Sequence, residues 1–184
     1  QGAGSSIIKI TGLEKIANVE IEHTCIPDRI EAATYLIAAI ATNSEITVEN
    51  IVPSDSVAVI DVLKNMGAQL EIDNENNIVK TKKSHIEFGF DVKTSPHPGF
   101  PTDVQAQLMT LGLVVDKTSL LTESVFENRF MHVPELNRLG ANIKIHGKTA
   151  RIIGGKELKG AHVMCTDLRA SAALFIAAMC AEGK

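Results

Sequence analysis

The strongest constraint on the fold is that the chain repeats itself. The stretch D-R-I-E-A-A-T-Y-L-I-A-A-I-A-T-N-S-E-I-T-V-E-N, from Asp28, and the stretch D-V-Q-A-Q-L-M-T-L-G-L-V-V-D-K-T-S-L-L-T-E-S-V, from Asp103, follow one plan. Each begins with an Asp behind a proline-containing lead. An apolar helical run follows, then a small polar turn, then an alternating strand. Each unit then carries a second helix ending in V-L-K-N-M-G-A-Q-L-E-I (62–72) or E-L-N-R-L-G-A-N-I-K-I (135–145). The shared Leu-x-x-x-Gly-Ala reads as a helix, a glycine stop and a strand. A third start, T-D-L-R-A-S-A-A-L-F-I-A-A-M-C-A-E-G-K, opens at Thr166.

Strand candidates precede each Asp, at Val19–Glu22, Ile86–Val92 and His162–Cys165. The unit is therefore β-α-β-α-β-β. One incomplete domain spans 1–184, with repeat one at about 7–75, repeat two at about 78–155 and a partial third at about 158–184. A unit this long excludes solenoids of the ankyrin or tetratricopeptide kind, with periods of roughly 33–34 residues. The first helices, Ala32–Ala41, Ala106–Val115 and Ala170–Ala181, are apolar nearly all round, so burial is expected for all three. The predicted fold is α/β with helices inside and sheets outside. Because the chain stops just beyond the third helix, it is expected to be a piece of a longer protein.

Composition narrows the function classes. The net charge of −4, with 22% charged residues, gives no general attraction to nucleic acid or to an anionic membrane. Six Phe, one Tyr and no Trp leave an aliphatic core and no stacking platform for single strands. Cys25, Cys165 and Cys180 are widely spaced, odd in number and lack a C-x-x-C. They predict neither a disulfide framework nor a zinc site, and they fit a reducing cytoplasm. Buried core thiols are expected. No apolar run reaches membrane-spanning length and no signal-peptide layout is present.

The helix starts carry the candidate chemistry. Thr102 and Gln105 have capping-box spacing, and Asp28 with Glu31 has the analogous one. The third start offers Thr166, Asp167 and Arg169. Helix capping alone accounts for such residues. Recurrence of the Asp in all three units argues for more, because threefold packing gathers three helix N-termini at one end. Their free N–H groups favour phosphates and carboxylates. Arg29, Arg129 and Arg169 lie near these starts and would add positive charge.

Four stretches, P-D-R-I-E-A, P-H-P-G-F-P-T-D-V-Q-A-Q, V-F-E-N-R-F-M-H-V-P-E-L-N-R-L-G-A and T-D-L-R-A-S-A-A-L, resemble the enolpyruvyl transferases that act on UDP-N-acetylglucosamine. The similarity covers essentially the whole chain. It implies an inside-out α/β barrel of three such repeats, here with two full repeats and a partial third. It also implies a second domain, absent here, that supplies the reactive Cys on a mobile loop and further cations.

The implied reaction moves the enolpyruvyl group of phosphoenolpyruvate to the 3′-hydroxyl of UDP-N-acetylglucosamine and releases phosphate. That is the first committed step of peptidoglycan synthesis, hence of cell wall biogenesis, cell shape and division. No cofactor and no metal are implied. By matching motif, Asp103 is the base or hydroxyl binder, and Val125 meets the sugar nucleotide through its backbone. Arg129 and Arg169 meet phosphoenolpyruvate or stabilise the closed state. Asp28, Glu127 and Asp167 orient these arginines through carboxylate–guanidinium bonds. The prolines before Asp103 would then hold its carboxylate in place with little entropy left to lose. The chain by itself is expected to be inactive. A shikimate 3-phosphate-type transferase and a non-catalytic repeat scaffold stand as alternatives.

Overall fold

The computed structural model describes residues 1–184 except Ile16, Ala17, Val19, Thr166 and Lys184. The described part of 1–28 is exposed and carries no helix or strand, apart from the half-buried Pro27. From there the first unit runs α1 (Arg29–Ala41), β1 (Thr47–Val48), α2 (Val57–Asn65), β2 (Leu70–Asp73) and β3 (Ile78–Thr81). The second runs β4 (Asp91–Lys93), α3 (Gln105–Val114), β5 (Thr118–Thr122), α4 (Val133–Arg138), β6 (Asn142–His146) and β7 (Thr149–Ile153). The third contributes α5 (Leu168–Cys180).

The repeat is visible in the sheets. The first has order β1-β3-β2, all antiparallel, and the second has order β4-β5-β7-β6. β5, β7 and β6 occupy the places of β1, β3 and β2, and β4 adds a parallel neighbour to β5. β3 belongs to the first sheet, although a repeat boundary at about 75–78 leaves it with the second unit. Both glycine stops form as expected. Gly67 and Gly140 adopt φ of 104° and 91°. Behind them the N–H groups of Ala68 and Ala141 reach back to the carbonyls of Leu63 and Leu136. This is the double-bonded helix end that glycine permits at positive φ.

The strands expected before each Asp fare differently. Val19 lies outside the described residues, and Glu20–Glu22 form no strand. β1 spans only two residues, whereas β5 offers five, so the first unit presents little ladder for a partner. In the middle unit the ladder is confined to Asp91–Lys93, because Glu87 and Phe88 turn their N–H groups to the carbonyl of Met66. His162–Cys165 is not a strand either. Met164 donates its N–H to the Glu135 carboxylate instead of a sheet.

Helices α1, α3 and α5 pack side by side, with α3 in the middle. Every residue of α3 from Gln105 to Leu113 is buried. Gly112 allows the Phe90 ring to approach, since a Cβ there would stand 3.0 Å from it. Leu121, Ala150 and Ile152 of the second sheet close over α3, and Val79 of the first sheet is equally buried. Helices are therefore inside and sheets outside, but the two sheets do not join into a closed barrel. Burial all round holds for α3 alone, from Gln105 to Leu113. Tyr35 of α1 is 57% exposed, and Phe175 and Met179 of α5 are 70% and 52% exposed. No described sheet covers α5 as the second sheet covers α3. The cysteines also depart from expectation: Cys25 and Cys165 lie in exposed non-regular segments, and only Cys180 is half-buried. Among the described residues, no helix is long and apolar enough to cross a membrane.

Candidate functional site

The site grows from the loop between β4 and α3. After Pro101 the chain makes a single 3-10 turn, Thr102–Val104, before α3 begins at Gln105. That turn carries Asp103 ahead of the helix proper, so its carboxylate caps nothing. Asp103 Oδ1 instead accepts from Arg129 Nη2 at 2.7 Å and forms an ion pair with Arg169, whose Nε stands 2.8 Å away. Asp103 Oδ2 receives no hydrogen bond from the described residues. Burial pushes the Asp103 carboxyl up. The two guanidinium hydrogen bonds and charges outweigh it and hold the group below the usual carboxylate range.

Behind this triad lies a second carboxylate. The alternation of β5 buries Ser119 and Leu121, and the next residue of that parity, Glu123, is 1% exposed. Glu123 Oε2 accepts from Thr102 Oγ1 at 2.7 Å. Glu123 Oε1 accepts from Thr94 Oγ1 at 2.8 Å and from the N–H groups of Val125 and Phe126 at 2.8 and 3.1 Å. Burial raises this carboxyl too, but its four donors more than reverse that and leave it below the ordinary value. Thr102 Oγ1 in turn accepts from Arg129 Nη1 at 2.7 Å. The Arg129 guanidinium also stacks 4.6 Å above the Phe126 ring, and its carbonyl accepts from Gln105 Nε2.

The predicted residues are brought together only in part. Asp103, Arg129 and Arg169 meet. Asp28 and Asp167 stand at the neighbouring helix starts as N-caps. Asp28 accepts from the N–H groups of Ile30 and Glu31, and Asp167 from those of Arg169 and Ala170. Those backbone donors, Ala170 first, hold the Asp167 carboxyl low. Asp28, Asp167 and Glu127 do not orient the arginines, since among the described residues none of them pairs with a guanidinium. The short turn places Asp103 nearer, and Glu127 is exposed. The capping box of Thr102 and Gln105 is absent because the 3-10 turn separates Thr102 from α3, and both side chains serve Arg129 instead. Thr166 lies outside the described residues. Arg29 opens α1 without an ion pair among them. Val125 is partly exposed, and its N–H is already engaged by Glu123.

Besides Glu123, three further residues absent from the sequence expectations complete the site. Gln107, almost fully buried, donates to Thr34 Oγ1 and to the Asp103 carbonyl. Thr94 anchors the far end of the proline loop. His132 is 3% exposed with Nε2 3.3 Å from Met109 Sδ. Burial drives the His132 pKa down to about 4, helped by Arg129 and opposed by Asp167. A cavity of about 430 Å³ opens among the three helix starts, lined in part by Asp28, Thr34, Asp103, Gln107 and Arg169. Two guanidinium groups around one carboxylate, beside capped helix ends, can bind an anion and offer Oδ2 to a hydroxyl.

The whole chain is similar to known proteins. UDP-N-acetylglucosamine 1-carboxyvinyltransferase 2 of Carboxydothermus hydrogenoformans is 48% identical over 183 residues, all of this chain and 43% of that protein. UDP-N-acetylglucosamine 1-carboxyvinyltransferase of Azorhizobium caulinodans is 47% identical over 184 residues, 42% of its length. The chain thus spans about two fifths of the length of these curated relatives. Among solved structures, the enolpyruvyl transferase NikO from Streptomyces tendae superposes with a TM-score of 0.74 at 25% identity, over 85% of this chain and 37% of that one. The fold of an EPSP synthase from Acinetobacter baumannii matches with a TM-score of 0.62 at 16% identity, over 83% of this chain and 37% of that one. The family model for EPSP synthase (3-phosphoshikimate 1-carboxyvinyltransferase) matches residues 1–184, and the chain belongs to that family.

Proposed function

We propose that the protein containing this chain is a cytoplasmic transferase acting in peptidoglycan synthesis. It moves the enolpyruvyl group of phosphoenolpyruvate to the 3′-hydroxyl of UDP-N-acetylglucosamine and releases phosphate. A second domain supplies the other wall of the cleft. The observation that carries this reading is Asp103: one carboxylate oxygen is clamped by Arg129 and Arg169, and the other is left for a substrate hydroxyl. The identity of 46–48% to relatives named for this acceptor supports the sugar nucleotide over shikimate 3-phosphate.

In this reading Asp103 binds the 3′-hydroxyl and takes its proton as the oxygen attacks. The low carboxyl pKa makes Asp103 a weak base, so its catalytic weight comes from alignment at the hydroxyl. Arg129 and Arg169 balance negative charge on phosphoenolpyruvate. Val125, Glu127, Asp28 and Asp167 line the approach of the sugar nucleotide around this carboxylate.

The test is phosphate release by the complete protein, given phosphoenolpyruvate with UDP-N-acetylglucosamine or with shikimate 3-phosphate. Asp103→Asn is expected to lose about 10²–10⁴-fold with the fold intact. Release with shikimate 3-phosphate alone would replace the acceptor, and near-normal release by the variant would remove Asp103 from the chemistry.

A further inference from the structure

Glu123 touches neither the cavity nor either side chain paired with Asp103, yet it ties together the segments that carry Asp103 and Arg129. Thr94 directly follows β4 and precedes the proline loop. Thr102 follows that loop. Val125 and Phe126 begin the segment that carries Arg129. All four donate to the one Glu123 carboxylate. Ser124 adds two further bonds to Thr94, its N–H to Thr94 Oγ1 at 2.9 Å and its hydroxyl to the Thr94 carbonyl.

The direction of these bonds is fixed by chemistry. A guanidinium only donates, so Thr102 Oγ1 accepts from Arg129, and its single hydrogen goes to Glu123. An ionised Glu123 only accepts, which closes the relay. Charges then alternate from Glu123 through Thr102 to Arg129, to Asp103 and to Arg169. Arg129 is thus held at both ends of its fork, by Thr102 on Nη1 and by Asp103 on Nη2.

We propose that Glu123 is a positioning residue for enolpyruvyl transfer, acting through the Thr102 hydroxyl to hold Arg129 and thereby to aim the free oxygen of Asp103. The proposal rests on the functional reading above but makes its own demands. Glu123→Gln keeps the size of the side chain, and its amide oxygen still serves Thr94, Val125 and Phe126. The amide nitrogen, however, meets Thr102 as a donor and competes with Arg129 for the hydroxyl oxygen. Thr102→Val removes the relay, and Thr102→Ser preserves it.

The experiment measures kcat, KM and melting temperature of the complete protein for E123Q, T102V, T102S and the E123Q/T102V double variant. E123Q and T102V are each expected to lower kcat by about 10–100-fold with KM changed far less, in line with losses at supporting residues of other sites. T102S should remain near the parent. The double variant should match T102V, because both changes break one relay. Carbon-13 titration of the Asp103 carboxyl gives a readout that needs no substrate. T102V, which removes no charge, should move that titration to higher pH as Arg129 loosens, and T102S should not.

Normal kcat in E123Q or T102V overturns the proposal. So does a double variant with the product of the single effects, or an unmoved Asp103 titration in T102V. Loss of melting temperature alone would make Glu123 a structural brace. If the parent proves active only with shikimate 3-phosphate, the acceptor reading fails while the same cycle, run with that acceptor, still decides the role of Glu123.

Discussion

Asp28 and Asp103 occupy the same place in two copies of one unit, and they do opposite things. Asp28 abuts α1 directly and accepts the N–H groups of Ile30 and Glu31. Asp103 is set one 3-10 turn before α3, gives no cap, and accepts two guanidinium groups. Asp167 follows the pattern of Asp28. One extra turn of backbone behind Pro101 is enough to turn a capping residue into a charge centre. The lesson is that a repeat conserves where an element begins more faithfully than what its first carboxylate bonds to.

The largest expected break of this contrast is in activity. Asp28→Asn and Asp167→Asn should leave phosphate release within a few-fold of the parent, since asparagine caps about as well as aspartate. Equal collapse of all three Asn variants would show that the three carboxylates act alike, against the geometry.

Acid sharpens the contrast next, through His132 beneath the Asp167 and Arg129 side of the site. Its folded pKa of about 4 lies below the ordinary 6.5. The unfolded chain therefore takes up a proton that the folded chain refuses. This contribution to stability is fully present above pH 6.5 and is lost as pH falls from there toward 4. The loss amounts to up to about 3 kcal/mol at about 1.4 kcal/mol per pH unit. Denaturant titrations between pH 7 and 4 should show this slope in the parent and a flatter one in His132→Gln.

Smaller effects belong to the caps. Asp28→Ala and Asp167→Ala should each cost about 1 kcal/mol. That corresponds to a melting temperature lower by about 2–4 °C at this chain length. Asp103→Ala has no cap to lose, so any destabilisation there must come from two guanidinium groups left facing each other. That part should shrink as salt is added, because the site is only half-buried.

Much of the fold was legible because its signals are local. Unbroken apolar runs marked α1, α3 and α5, and Gly67 and Gly140 marked both helix stops. The strands were harder. Residues 20–22 and 162–165 alternate well enough to suggest strands, but pairing depends on a neighbour that local sequence does not reveal. Of the site, motif resemblance brought forward Asp103, Arg129 and Arg169 together. It misassigned the partners of the arginines, because Glu127 is close in sequence but points to solvent, whereas Asp103 is distant in sequence and adjacent in space. Glu123 escaped notice as one acidic residue at the end of a strand. Its parity with the buried Ser119 and Leu121 was the available signal, since a carboxylate continuing the inward face of a strand must find donors there.

The enclosure of α3 from Gln105 to Leu113 has a consequence for how the molecule breathes. With α1 on one side, α5 on the other and the second sheet above, its peptide N–H groups reach water only when those neighbours separate. Deuterium uptake at Leu111 therefore reports the opening of the whole helical layer. It gives a clock for cooperative undocking, with the partly exposed turns of α5 as the fast reference beside it.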